Sequence, residues 1–64
     1  MTTPLLRSTF PGRFRGREAV VEEFHRYHNA HRGKRRRTAE EYLEIVRVRP
    51  PSDRGGWEVL YRVR

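Results

Sequence analysis

The chain contains no cysteine, so neither a disulfide nor a thiolate metal site can brace it. It also lacks long apolar runs. The longest, Ala19-Val20-Val21 and Val59-Leu60-Tyr61, are three residues each, whereas a membrane-spanning helix needs about 20. The opening Met-Thr-Thr-Pro-Leu-Leu-Arg has no apolar core of a signal peptide, and a cytoplasmic protein is the expectation. Apolar residues make up 34% of the chain, below the roughly 45–50% of an average domain. One small core follows, with no depth for a substrate pocket, and a core of this kind is often completed by a partner or a second copy.

Catalytic and cofactor patterns are missing too. Ser8 and Ser52 have no nucleophile-elbow context, and no glycine-rich phosphate or dinucleotide loop occurs. No enzyme and no cofactor is therefore expected. His25, His28 and His31 follow one another at steps of three, an arc of about 120° on a helix. The outer two diverge, and cationic neighbours disfavour a divalent ion, so no metal is assigned to them.

Lysine, isoleucine and asparagine occur once each beside fourteen arginines. A GC-rich coding bias accounts for arginine in place of lysine. It does not account for a net charge of +7, which implies nucleic acid or an acidic protein surface as partner. Arginine suits that role, since its planar fork binds phosphate or carboxylate bidentately.

The charge is segmented. Acidic residues are absent before Glu18, and five of the six residues from Arg32 to Arg37 are basic. Three groups are candidate nucleic-acid contacts. The first is the dense run Arg32, Lys34, Arg35, Arg36 and Arg37, able to neutralise several phosphates at once. The second is Arg13, Arg15 and Arg17, interleaved with Gly12, Phe14 and Gly16. This is the composition of base-stacking segments, although Phe14 equally suits a core-facing ring beside turn glycines. The third is Arg47, Arg49, Arg62 and Arg64, which share the outer face of a hairpin if Val46, Val48, Val59, Tyr61 and Val63 face inward. Arginines paired directly across such a hairpin would repel one another.

Four segments are expected in a single α+β domain. Residues 1–16 read as an arm or short strand around Leu5–Phe10, turning at Pro11-Gly12. Residues 17–32 read as a helix with Val20, Val21, Phe24, Tyr27, His28 and His31 on one face. Gly33 is placed to end it in the left-handed conformation. Residues 33–41 form the basic loop and a turn, and residues 42–63 a β-hairpin around the turn-rich 50–56.

Residues 38–47 admit two readings. Thr38-Ala39-Glu40-Glu41 is a capping box, so a helix reaching Val46 would give two helices and one C-terminal strand. The β-branched cluster and the alternating partner 57–63 favour a strand from Tyr42, with Glu40 and Glu41 in a single helical turn before it. On this reading the chain is a small accessory protein making arginine–phosphate contacts with weak sequence specificity. The alternative is an adaptor, inhibitor or assembly subunit of the kind viruses encode. It would dock on an acidic face of a larger complex, with Leu5, Leu6, Phe10 and Trp57 as apolar anchors.

Overall fold

A computed structural model describes residues 3–51 and 55–64. The chain runs β1 (Leu6–Phe10), α1 (Arg17–Ala30), α2 (Ala39–Tyr42), β2 (Leu43–Arg49) and β3 (Trp57–Val63). The strands form one antiparallel sheet in the order β1-β3-β2. This is a small α+β domain with one main helix, a one-turn second helix and a three-stranded sheet. The N-terminal segment is a paired strand rather than a free arm. Leu6 lies opposite Tyr61 and Phe10 opposite Trp57, which makes β3 the central strand.

Alternation along β3 sets the layers. Val59 is fully buried, while Trp57, Tyr61 and Val63 pack beside it against Val20 and Phe24 of α1 and Ala39, Tyr42 and Leu43. Phe24 is the largest fully buried side chain, and its ring meets Tyr61 edge-on at 5.1 Å. Glu58, Leu60 and Arg62 alternate with the inward set, as a period of two requires. They lie on the opposite face of the sheet.

The capping-box sequence builds one helical turn and no more. The Thr38 N–H donates to Glu41 Oε2 at 3.0 Å, and Tyr42 N–H reaches back to the Thr38 carbonyl at 3.1 Å. Leu43 is already extended. The hairpin therefore begins at Leu43 rather than Tyr42, and the reading with a helix to Val46 does not hold.

Several expected placements are corrected. A β-bulge between Ile45 and Arg47 shifts the register of β2. Ile45 and Val48 face the core, and Val46 is 42% exposed. The extra residue at a bulge opposes no partner and re-aims the residues after it. Tyr27 is 53% exposed and Leu5 50%, with Leu6 also exposed. They lie near edge strand β1, where no further element covers them among the described residues. Helix α1 ends at Ala30, two residues early, with a tightened bond from Arg32 N–H to the Asn29 carbonyl at 3.4 Å. Gly33 comes next with φ +64°, the left-handed residue that lets the chain leave the helix. The hairpin turn expected across 50–56 falls partly outside the described residues, as does Ser52.

Candidate nucleic-acid interface

The helices cover one face of the sheet, and the other face is bare among the described residues. Strand register puts Arg7, Arg47, Arg49 and Arg62 there with Glu44, Glu58, Thr9 and Leu60. The bulge leaves this face intact on the far side of β2, because Arg47 pairs with Leu60 and Arg49 with Glu58. Arg7, absent from the three groups expected from sequence, joins from β1 opposite Leu60. Its signal was available: it alternates with Leu6 and Ser8 in a five-residue strand.

No arginine faces another directly across the strands in this register. Glu44 lies opposite Arg62 and is also 3.8 Å from Arg64 Nε. Glu58 lies opposite Arg49, and Arg7 and Arg49 each approach it to 3.7 Å. Each glutamate thus serves two arginines, which removes the like-charge repulsion expected of this face. These contacts are long and solvent-exposed, so each contributes at most about 1 kcal/mol. Five arginines against two glutamates leave the face positive. Among the described residues, Arg47 has no carboxylate within 4.0 Å.

The basic run Arg32–Arg37 links α1 to α2 and is held at several points. Asn29, near the end of α1, accepts the Ala39 N–H through Oδ1 at 2.7 Å and donates Nδ2 to Glu40 Oε1 at 2.8 Å. One side chain thereby fastens both ends of the loop. The Asn29 amide, with a backbone N–H and the nearby His25 and Arg32 charges, holds the Glu40 carboxyl below the usual carboxylate range. Within the loop, Arg35 N–H donates to the Arg32 carbonyl at 3.3 Å. The Arg35 guanidinium carbon lies 4.4 Å above the Tyr42 ring centre. Arg37 Nη2 donates to the Arg64 carbonyl at 3.1 Å, and this contact carries the loop to the C-terminal end of β3, beside Arg62 and Arg64.

The loop is therefore a neighbour of Arg62 and Arg64, whereas Arg49, opposite Glu58, lies toward the other end of β3, where Phe14 of the Arg13–Arg17 segment is also anchored. Phe14 packs on Phe10 with ring centres 5.7 Å apart, and Phe10 pairs with Trp57 at the start of β3. Seven residues of β3 separate the two ends by about 20 Å. Phe14 is a core-facing ring and Trp57 packs on the core, so neither is presented as a free base-stacking platform.

The histidines lie elsewhere. The Nδ1–H of His28 donates to the Phe24 carbonyl at 2.9 Å, and its ring sits 4.3 Å from that of Phe24. His31 bonds the Tyr27 carbonyl at 3.0 Å in the same way. His25 faces an open depression lined by Glu22, Arg26, Asn29 and Glu40. Among the described residues, no three metal-ligating side chains converge, and no helix is long and apolar enough to cross a membrane.

Two residues with roles at this site are not evident from sequence. Asn29 stands out there only as the lone asparagine, and its clue is a poor helix former placed late in a helix. Tyr42 reads as core alone, yet its ring also carries Arg35. No family model matches the chain, and no curated protein or solved structure matches it either.

Proposed function

We propose that this protein binds nucleic acid through arginine–phosphate contacts with weak sequence specificity, as an accessory component of a larger nucleic-acid assembly. The observation that supports it best is the Arg37–Arg64 contact. It brings the five-cation loop to the end of β3 that carries Arg62 and Arg64, so basic groups separate in sequence meet there. Phosphates spaced along a strand suit such a surface better than a single small anion does. The glutamate contacts on the sheet are weak enough for phosphate to displace at small cost. Among the described residues the bare face offers no aromatic ring, which fits backbone contact rather than base reading there.

The test is binding to single-stranded and duplex DNA and RNA across a salt series. Wild type is expected to bind with a steep negative salt slope. Replacing Arg32, Lys34, Arg35, Arg36 and Arg37 with Gln is expected to flatten that slope by about 3–5 units, at roughly 0.7–0.9 for each phosphate no longer neutralised. Unchanged retention by that variant, with its fold verified by circular dichroism, would refute the proposal.

A second reading, docking on an acidic protein face, draws on the exposed Leu5, Leu6 and Tyr27 beside edge strand β1. A stoichiometric protein partner that survives high-salt washing would favour it over nucleic-acid binding.

A further inference from the structure

The geometry points to Arg35 as a stacking plate for an unpaired base, which makes single-stranded nucleic acid the favoured ligand of the basic loop. This inference rests on the nucleic-acid reading above and narrows it to one substrate class. Tyr42 is only 5% exposed and packed into the core, so its ring is a fixed support. The Arg35 guanidinium lies over it at 4.4 Å, while the residue as a whole is exposed. The guanidinium thus sits against an aromatic ring on a residue that is exposed as a whole.

A guanidinium is flat and delocalised. Unlike an ammonium, it can stack on a base while its edges still donate to phosphate. Cation–π contact with Tyr42 holds the guanidinium before any ligand arrives, and the Arg35 backbone N–H bond to the Arg32 carbonyl holds the loop main chain that carries it. Less side-chain freedom then disappears on binding. Among the described residues Arg35 has no carboxylate within 4.0 Å, so no ion pair must be broken.

Its flanks carry the complementary chemistry. Lys34 and Arg36 are exposed, and Arg37 is held toward the sheet face by the Arg64 carbonyl. Phosphates on either side of a stacked base would meet cations in both directions. A duplex keeps its bases inside the stack and presents none to the plate. Double-stranded nucleic acid would thus engage the same cations without using the guanidinium plane.

Arg35→Lys separates the plane from the charge, and the probes are oligonucleotides carrying the fluorescent base 2-aminopurine, as single-stranded DNA, single-stranded RNA and matched duplex. Wild type is expected to brighten the single-stranded probe, by drawing the base out of the stack on its neighbours, and to bind it more tightly than the duplex. Arg35→Lys should weaken single-strand binding about 5- to 150-fold, the range for removing one base stack. It should abolish the emission change and alter duplex affinity less than about 2-fold, since the phosphate charge is kept. Tyr42→Phe retains the ring and should retain the emission change, which separates stacking from loss of fold. Equal loss on single strand and duplex, or an unaltered emission change in Arg35→Lys, overturns the stacking assignment and leaves phosphate binding standing. Absence of salt-dependent binding to every probe overturns both.

Discussion

Asn29 offers the sharpest test of how the basic loop is held. Asn29→Ala removes the acceptor of the Ala39 N–H, a bond of 2.7 Å to a residue with no solvent exposure. Orphaning a buried donor costs about 1–3 kcal/mol. Alanine regains roughly 0.5 kcal/mol of helix propensity within α1. The net loss is therefore about 0.5–2.5 kcal/mol, and at about 4–8 °C per kcal/mol for a domain of this size the Tm falls by about 2–20 °C. Stability of about 0.05–0.15 kcal/mol per residue makes that a large share of the whole. Thermal and urea unfolding followed by circular dichroism would measure it, with hydrogen exchange at the Ala39 amide as the local readout. Asn29→Asp is the informative partner variant. It keeps an oxygen for Ala39 but loses the donor to Glu40 and sets two carboxylates together, which raises their folded-state pKa, so its deficit should shrink as pH falls toward the ordinary carboxylate value of 4.5. An Asn29→Ala protein within about 0.5 kcal/mol of wild type, the range of an ordinary surface change, with no faster exchange at Ala39, would refute the clamp.

The remaining expectations concern other parts of the molecule. The folded-state pKa of Glu40 lies below its ordinary value of 4.5. Its contribution to stability is therefore present above 4.5 and lost as pH falls through the folded pKa. Glu40→Gln should flatten the stability profile in that acid window and leave its slope at neutral pH the same as in wild type. A Cβ added at Gly56 would meet the Phe10 carbonyl and lie 2.6 Å from Pro11 Cα. Both are backbone, so Gly56→Ala should cost about 1–3 kcal/mol or more in urea unfolding, whereas Gly33→Asn, in open space at φ +64°, should cost less than Gly33→Val. Arg47→Gln should reduce the salt slope of nucleic-acid binding by about 0.7–0.9. Arg26→Gln should leave it unchanged, because Arg26 is engaged by Glu22 and Glu23 on α1.

How much of this could be read from residues alone varies with the range of the interaction. Helix α1 and strand β3 were legible because their apolar residues repeat at roughly 3.6 and 2, and the single turn of α2 was legible from Thr38 and Glu41. These signals are local. The place of β1 was not, since Leu6–Phe10 contains nothing that names Trp57–Tyr61 as its partner. The bulge at Val46 escaped for a related reason: Ile45-Val46 offers two adjacent apolar residues, and only packing against α1 decides which of them faces inward. Tyr27 fits the helical stripe yet lies beyond the edge of a three-stranded sheet too narrow to cover it. For the site, the sequence located the cations but not their neighbours. The Arg37–Arg64 contact spans 27 residues, and the Asn29 clamp crosses the loop it fastens.

The fold also alters what the arginine content means. A charge of +7 spread evenly over 64 residues would be a property of solubility and little else. Here the layers sort it. Three glutamates of α1 and two of α2 lie on the helical side, whereas the bare sheet face and the loop that reaches it hold most of the unpaired cations among the described residues. A field sorted in this way would steer the approach of the proposed polyanion. The two glutamates on the sheet face then have a definite part. Each is shared by two arginines, so they limit repulsion among guanidinium groups while the face is solvated. Their bonds are too long and too exposed to resist exchange for phosphate. Removing Glu44 or Glu58 should therefore lower stability slightly and raise affinity for a polyanion. Equal affinity for wild type and a Glu44→Gln, Glu58→Gln double variant at low salt would remove the sheet face from the interface and leave the loop alone.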